Sequence, residues 1–202
     1  MNRSHPDRTR TNEPLDTDGI TTRETKMENE TISKEQAAKE VLSMIRRTAL
    51  LHYCYGKTLI EEMGEKRGKD LISKAIRLYG QKVGDKVKEE TLAKGLDLLL
   101  ENYQEDLPSS GFQFERVTVE GEPRTRIHLC HLANVWKELG APEIGRLYCY
   151  VDQAKYQTYN PNLECFHVKN VLEGDPCCEV AVRPKEGTRA RKPKAGGKRR
   201  KR

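Results

Sequence analysis

Between Ser33 and Tyr103 apolar side chains return every three or four positions, and beyond Gly111 they alternate. A helical period therefore gives way to a strand period along one chain. Ser33 and Gln36 have the spacing of a capping box, in which the hydroxyl accepts from an amide in the first turn and the amide side chain reaches back. Behind it Val41, Ile45, Ala49, Tyr53, Leu59, Ile60 and Met63 form one stripe and predict a long amphipathic helix to Gly64. Leu71, Ile72, Ala75, Ile76 and Tyr79 predict a second helix over 66–83. Val87, Leu92, Leu96, Leu99 and Leu100 predict a third over 85–103. Glycines at 64, 68, 80, 84 and 95 read as punctuation among these helices.

After Leu107-Pro-Ser-Ser-Gly111 the segments F-Q-F-E-R-V-T-V and R-T-R-I-H-L-C predict a strand pair joined by a G-E-P turn. In the second strand Thr125, Ile127 and Leu129 share one face and Arg126, His128 and Cys130 the other. Leu132, Val135, Trp136 and Leu139 predict a short helix with Gly140 just past its end. Pro142 opens another, carrying Ile144, Leu147, Tyr148 and Val151. The last element is a hairpin of L-E-C-F-H-V-K-N-V-L and C-C-E-V-A-V around E-G-D-P. Helices first, then strands mixed with short helices, predict an α+β class: N-terminal helices packed with an antiparallel sheet in a single domain over 33–183.

Charge adds tails to this picture. The net charge of +6 conceals a split: from Arg183 onward there are eleven Lys or Arg and a single Glu. The body is mildly acidic, and 184–202 reads as a disordered basic tail, as 1–32 reads as a disordered polar segment. Residues 183–202 suit a weak, salt-dependent polyanion contact. With no aromatic among them, base stacking has no support. No segment is apolar enough to be a signal peptide or to span a membrane, which predicts a cytoplasmic protein with no membrane partner and with reduced thiols. Met27, just ahead of the first foldable segment, is a second candidate initiator.

Five of the six cysteines lie between Cys130 and Cys178, with Asp152 and Asp175 nearby. Cys149 and Asp152, three apart on one helix, share a face. A helix N-terminus lowers a thiol pKa and a neighbouring carboxylate raises it. The pair is open to three readings: nucleophile with base, metal ligands, or a packed thiol beside a surface charge. Adjacent Cys177 and Cys178 point to opposite faces if they lie in a strand. Cys54 and Cys165 read as packing residues, Asp175 and Asn160-Pro161 as turn chemistry, and His52 as an inward histidine of the first helix. His131 stands at a strand end. No paired C-x-x-C, phosphate-binding glycine loop or G-x-S-x-G is present.

The run from Cys130 through Leu132, Trp136, Glu138–Pro142, Tyr148, Cys149, Asp152 and Ala154, then Tyr159–Pro161, then Leu172–Asp175 and Cys178, resembles the L-2-amino-thiazoline-4-carboxylic acid hydrolase family. The resemblance extends upstream into 51–64 and 93–98. It implies a hydrolase that opens a C–N-containing ring of a small-molecule substrate by thiol and carboxylate chemistry. Catalytic roles then fall to Cys149 and Asp152, with Cys130 and Cys178 behind them. His52, Arg146 and Asp175 become substrate-binding candidates. The final hairpin is similar to the small-ligand domain named after 4-vinyl reductase, some members of which bind zinc. Asn170 stands where a ligand is expected there and is not one, so the implied zinc set is reduced to Cys149, His167 and Cys178. The sequence itself requires no cofactor. A different class of function, a non-catalytic small-molecule sensor with a basic nucleic-acid- or partner-binding tail, uses the same pocket. A thiol or metal carrier is a third. The stripe of the first helix also suits a homo-oligomer.

Overall fold

The computed structural model describes residues 31–105 and 107–186. The expectations for segment 1–32 and for the basic tail beyond Glu186 fall almost wholly outside these residues. Met1–Lys34 and Glu35–Arg202 are separate units, and the architecture below is that of the second. Its helices are α1 (Lys34–Met63) and α2 (Glu65–Ala93), followed by a 3-10 turn at Leu100–Asn102. Then come β1 (Phe112–Val119), β2 (Glu122–Cys130), α3 (His131–Glu138), α4 (Pro142–Tyr148), α5 (Tyr150–Tyr159), β3 (Leu163–Lys169) and β4 (Cys178–Pro184). The strands make one antiparallel sheet in the order β1-β2-β4-β3, as an α+β chain requires.

The helical half differs from its expected division. The second and third helices are one continuous α2, and the glycines read as breaks lie along its packed face: Gly68, Ile72, Gly80, Gly84, Val87 and Thr91 are its buried residues. Ala75 and Tyr79, expected inside, are exposed. The reason is close backbone approach. A Cβ on Gly80 would meet the Val151 carbonyl oxygen at 2.6 Å and the Ala154 Cβ at 2.7 Å, and one on Gly84 would meet the Thr158 Cβ at 2.9 Å. Here glycine serves as a groove for α5 and not as a helix terminator. Leu96, Leu99 and Leu100 lie beyond α2. Their segment is held by the far end of α5, where the Tyr159 hydroxyl donates to the Leu99 carbonyl (3.0 Å) and Asn160 Nδ2 to the Leu98 carbonyl (2.7 Å).

In the mixed half the first hairpin turns one residue earlier than expected. Glu120 and Gly121 both have positive φ (52° and 82°), the two-residue turn that matches strand twist, and Glu122 and Pro123 enter β2. Gly140 closes α3 as expected. Its amide donates to Lys137 O and the Ala141 amide to Trp136 O, the bond pair of a Schellman end, at a φ of 63°. The last hairpin is shorter than expected: Val171, Leu172 and Cys177 lie in the connection, and only Cys178 is in β4. At its other end β4 runs through Arg183 and Pro184, and Arg183 is tied to Glu164 (3.2 Å) and Glu122 (3.3 Å). The ordered sheet thus takes up the first residues assigned to the tail.

Two apolar clusters result. One joins α1 (Ile45, Ala49) to α3 (Leu132, Ala133, Val135, Trp136) and Leu172; Trp136 Nε1 donates to the Ala49 carbonyl at 3.0 Å. The other joins α2 (Val87) and α5 (Tyr156, Tyr159) to Tyr103 and the inner face of β3 and β4 (Leu163, Cys165, Val180). On the outer face of the sheet Glu179, fully buried, accepts from Arg124 (3.0 Å), Arg126 (2.9 Å) and Lys169 (3.2 Å). Burial alone would raise its pKa, but these cations hold it down at about 2.

Two outcomes follow. Gly80→Ala gains helix propensity of roughly 1 kcal/mol, yet it overpacks the α2–α5 contact at a cost of roughly 1–3 kcal/mol. Urea denaturation is therefore expected to show net destabilisation with an unchanged m value, and a stabilised variant would refute the close packing. Glu179 has a depressed folded pKa, so its stabilisation is complete above its unfolded value near 4.5 and is lost as pH falls toward about 2. Glu179→Gln is expected to flatten the stability–pH curve across that interval, measured by denaturation at stepped pH.

Candidate active site

Asp152 lies on the first turn of α5, at the seam between the two apolar clusters. Its Oδ1 is 2.9 Å from Lys155 Nζ, one turn along α5, and its Oδ2 is 3.0 Å from His167 Nε2 on β3. Lys155 is only 5% exposed and reaches on to Glu105, at 2.7 and 2.9 Å from the two carboxylate oxygens. The Tyr156 hydroxyl donates to the same Glu105 at 3.3 Å, and Tyr103 stacks on Tyr156 with ring centroids 4.3 Å apart. Burial would raise the Asp152 pKa, but Lys155 and then His167 overcome it and hold the carboxylate well below the usual range. Lys155 is the mirror case: burial disfavours its charge, and Asp152 and Glu105 together hold it well above the ordinary lysine value.

Sequence reasoning found Asp152 but not the rest of this set. Lys155 is three residues from Asp152 on a helix, a legible ion-pair spacing, but nothing in sequence marks Glu105, fifty residues upstream, as its second partner. His167 was expected as a possible metal ligand only. In the structure its Nε2 faces Asp152, and Nδ1 is buried without a hydrogen-bond partner. With Nε2–H donating to the carboxylate, Nδ1 is the ring nitrogen left for a further partner.

Four thiols feel the Asp152 charge: Cys130, Cys149, Cys165 and Cys178. Cys149 is the hinge residue between α4 and α5, so the single expected helix is two, bent at the candidate nucleophile. Its sulfur accepts from Asn170 Nδ2 at 3.5 Å. Burial pushes the Cys149 thiol up to about 12, with the Asn170 contact opposing and the Asp152 charge reinforcing the shift. Cys130, the last residue of β2, is pushed up to about 11 by burial. Cys178, raised in the same direction by burial, accepts from the Val171 amide at 3.4 Å. Both also feel the Asp152 charge, which adds to the rise. Cys165 is buried as expected, whereas Cys54, read as a packing residue, is exposed on α1.

The substrate-binding candidates divide. Arg146, on α4, has Glu173 Oε1 2.9 Å from Nε, while its Nη1 is buried without a hydrogen-bond partner. It also acts on the Cys149 thiol, in the direction opposite to burial. His52 is committed to packing: Nε2 lies 2.8 Å from the Ile144 carbonyl, and the ring meets Trp136 and Tyr148 edge-on. Burial lowers its pKa. Asp175 is turn chemistry as read from sequence, its Oδ2 accepting from the Asn170 amide at 2.7 Å. That turn is what aims Asn170, which is fully buried, at Cys149.

Among the described residues no three His, Cys, Asp or Glu side chains are grouped as a metal ion requires, and Cys149, His167 and Cys178 do not form such a group. A notch of about 470 Å³ opens at the α1–α2 turn between Met63 and Asp70, and no candidate residue lines it. No described helix is long and apolar enough to cross a membrane.

Replacing Lys155 by Met leaves Asp152 and Glu105 without their shared cation, a buried-pair disruption of roughly 3–5 kcal/mol. The expected result is a marked drop in urea midpoint, partly relieved in Lys155→Met combined with Glu105→Gln, which removes one of the two carboxylates left without the cation. Equal destabilisation in single and double variants would show that the charges are not coupled.

Comparison with known proteins bears on what this arrangement is for. No curated protein matches the chain. A solved structure titled a trafficking protein particle complex subunit 3 from Naegleria fowleri covalently bound to palmitic acid aligns with a TM-score of 0.44 at 19% identity, covering 69% of this chain and 96% of that one. The family model of L-2-amino-thiazoline-4-carboxylic acid hydrolase matches residues 28–182, a span that contains every candidate residue above, and the chain belongs to that family.

Proposed function

We propose that the chain hydrolytically opens the ring of a cyclic amidine of the 2-amino-thiazoline-4-carboxylate type at the α4–α5 junction, with Asp152 as the group on which the reaction turns. The observation that carries this reading is a carboxylate kept ionised by Lys155 and His167 while remaining 23% exposed, three residues from a thiol that feels its charge. Family membership supports a hydrolase; the substrate and the roles below are inferred.

The electrophile of such a ring is the carbon between sulfur and two nitrogens. Protonation of the amidine makes that carbon more electrophilic, and an ionised carboxylate stabilises the resulting cation. Asp152 has that character. Its low basicity makes it a poor proton acceptor, so the proton released by the attacking group falls to His167, whose Nδ1 is unpartnered. The attacking group is water or the Cys149 thiol. Cys149, pushed up to about 12, is a thiol at neutral pH, so it attacks only as its proton leaves. When water attacks, its oxygen bonds to the ring carbon, and collapse breaks either the carbon–sulfur bond, giving N-carbamoyl-cysteine, or the ring carbon–nitrogen bond, giving the S-carbamoyl isomer. When Cys149 attacks, the same ring bond breaks to leave an imidoyl carbon on its sulfur, and water then adds to that carbon, expels the Cys149 thiol and supplies the carbonyl oxygen of the product. Arg146, with an unpartnered buried Nη1 near Cys149, suits the substrate carboxylate. Cys130 and Cys178 shape the dry wall around the sulfur. His52 and Asp175 act by holding Ile144 and Asn170, and so position groups without touching substrate.

Incubation of the chain with 2-amino-thiazoline-4-carboxylate, followed by mass spectrometry and a free-thiol assay, is expected to show carbamoyl-cysteine and to identify the isomer. Asp152→Asn is expected to lower kcat/KM by roughly 100-fold or more, and Arg146→Met to act mainly through KM. Cys149→Ser separates thiol attack, which it abolishes, from water attack, which it leaves largely intact. Folded protein that binds the compound without turnover, with zinc supplied and with zinc chelated, would replace the hydrolase by a sensor.

A further inference from the structure

We infer that α1 pairs with α1 of a second copy of this chain, antiparallel and two-fold symmetric about Cys54. α1 is 30 residues long, but only Ile45, Ala49 and Gly56 of it are buried. On another face Met44, Leu51 and Tyr55 are 58%, 59% and 66% exposed. With Thr48, Thr58 and Glu62, all exposed, they follow the alternating four- and three-residue spacing of a coiled-coil seam: 44, 48, 51, 55, 58, 62. A regularly spaced seam, apolar at Met44, Leu51 and Tyr55 and polar at Thr48, Thr58 and Glu62, fits a like helix better than an irregular partner surface.

The flanks choose the direction. On one side of the seam, Ile45, His52 and Leu59 turn into the protomer and are buried or half-buried. On the other, Arg47, Cys54 and Glu61 are exposed at successive heptad positions. Parallel helices contact through opposite flanks of the two seams, and one of those is closed here. Antiparallel helices set each flank against its like, so the two open flanks meet each other on one side of the seam. Setting Leu51 against Tyr55 of the second copy, and Thr48 against its Thr58, brings Arg47 beside Glu61 of the second copy and Cys54 beside its own symmetry mate. Opposite charges therefore meet on both sides of the dyad, as an isologous interface repeats every contact twice. Sliding one helix by a heptad places Arg47 near the other Cys54 and loses both charge pairs.

The register makes the test specific. At micromolar concentration the full chain is expected to sediment at twice its 23.2 kDa. Mild oxidation with copper phenanthroline is expected to trap a disulfide-linked dimer that Cys54→Ser abolishes while the sedimentation dimer persists. Leu51→Glu, an exposed substitution that leaves helicity by circular dichroism unchanged, is expected to raise the dimer dissociation constant by roughly 30-fold or more. Arg47→Glu alone is expected to weaken the dimer, and adding Glu61→Arg to restore it. A monomer at all concentrations overturns the pairing. A dimer indifferent to Leu51→Glu places the interface elsewhere, and one in which the charge reversal is not rescued overturns the antiparallel register.

Discussion

The ammonium group of Lys155 is the least replaceable feature of this structure. It is almost wholly buried at the point where α5 lies between α2 and the sheet, and a lone cation there would be strongly disfavoured. Asp152 and Glu105 stabilise it, one from the same helix and one from the segment between α2 and β1. The constraint then spreads. Glu105 must be brought in, which the capture of the Leu98 and Leu99 carbonyls by Asn160 and Tyr159 helps to do. Asp152 must face β3, which places His167 on its other oxygen. α5 must lie close to α2, which requires Gly80 and Gly84. Fold and candidate chemistry are set by the same contacts.

A consequence concerns the thiols. Burial and the Asp152 charge act in the same direction on Cys130, Cys149 and Cys178, so none of them is a thiolate in the resting protein at neutral pH. A cysteine protease lowers its thiol pKa with an imidazolium; at Cys149 burial raises it and the Asp152 charge adds to the rise. The environment therefore favours chemistry on a cationic electrophile, which the carboxylate attracts, over attack on a neutral carbonyl by a standing thiolate. A cyclic amidine is an electrophile of that kind.

The sequence pattern revealed the class of fold, the order of helices and strands, the Gly140 helix end and the final hairpin, because each rests on local periodicity or turn chemistry. It misplaced the breaks in the helical half. Glycine carries two opposite meanings, helix end and helix contact, and only the partner helix decides between them at Gly80 and Gly84. Of the candidate site, Cys149 and Asp152 are singled out by their spacing and by the family pattern. Glu105 and the Asp152–His167 contact are not, since both arise where distant segments meet. His52 stands inward as expected, and its imidazole is used by the Ile144 carbonyl.

Carboxyl-carbon NMR of selectively labelled aspartate reports the ionisation of Asp152 directly. The account predicts that its resonance keeps the shift of a carboxylate at pH values where exposed aspartates are already protonated. It also predicts a change on addition of 2-amino-thiazoline-4-carboxylate that Asp175 does not share. An Asp152 that titrates with the exposed aspartates, or is indifferent to the compound while it is being bound, would contradict the assignment of this carboxylate as the centre of both fold and site.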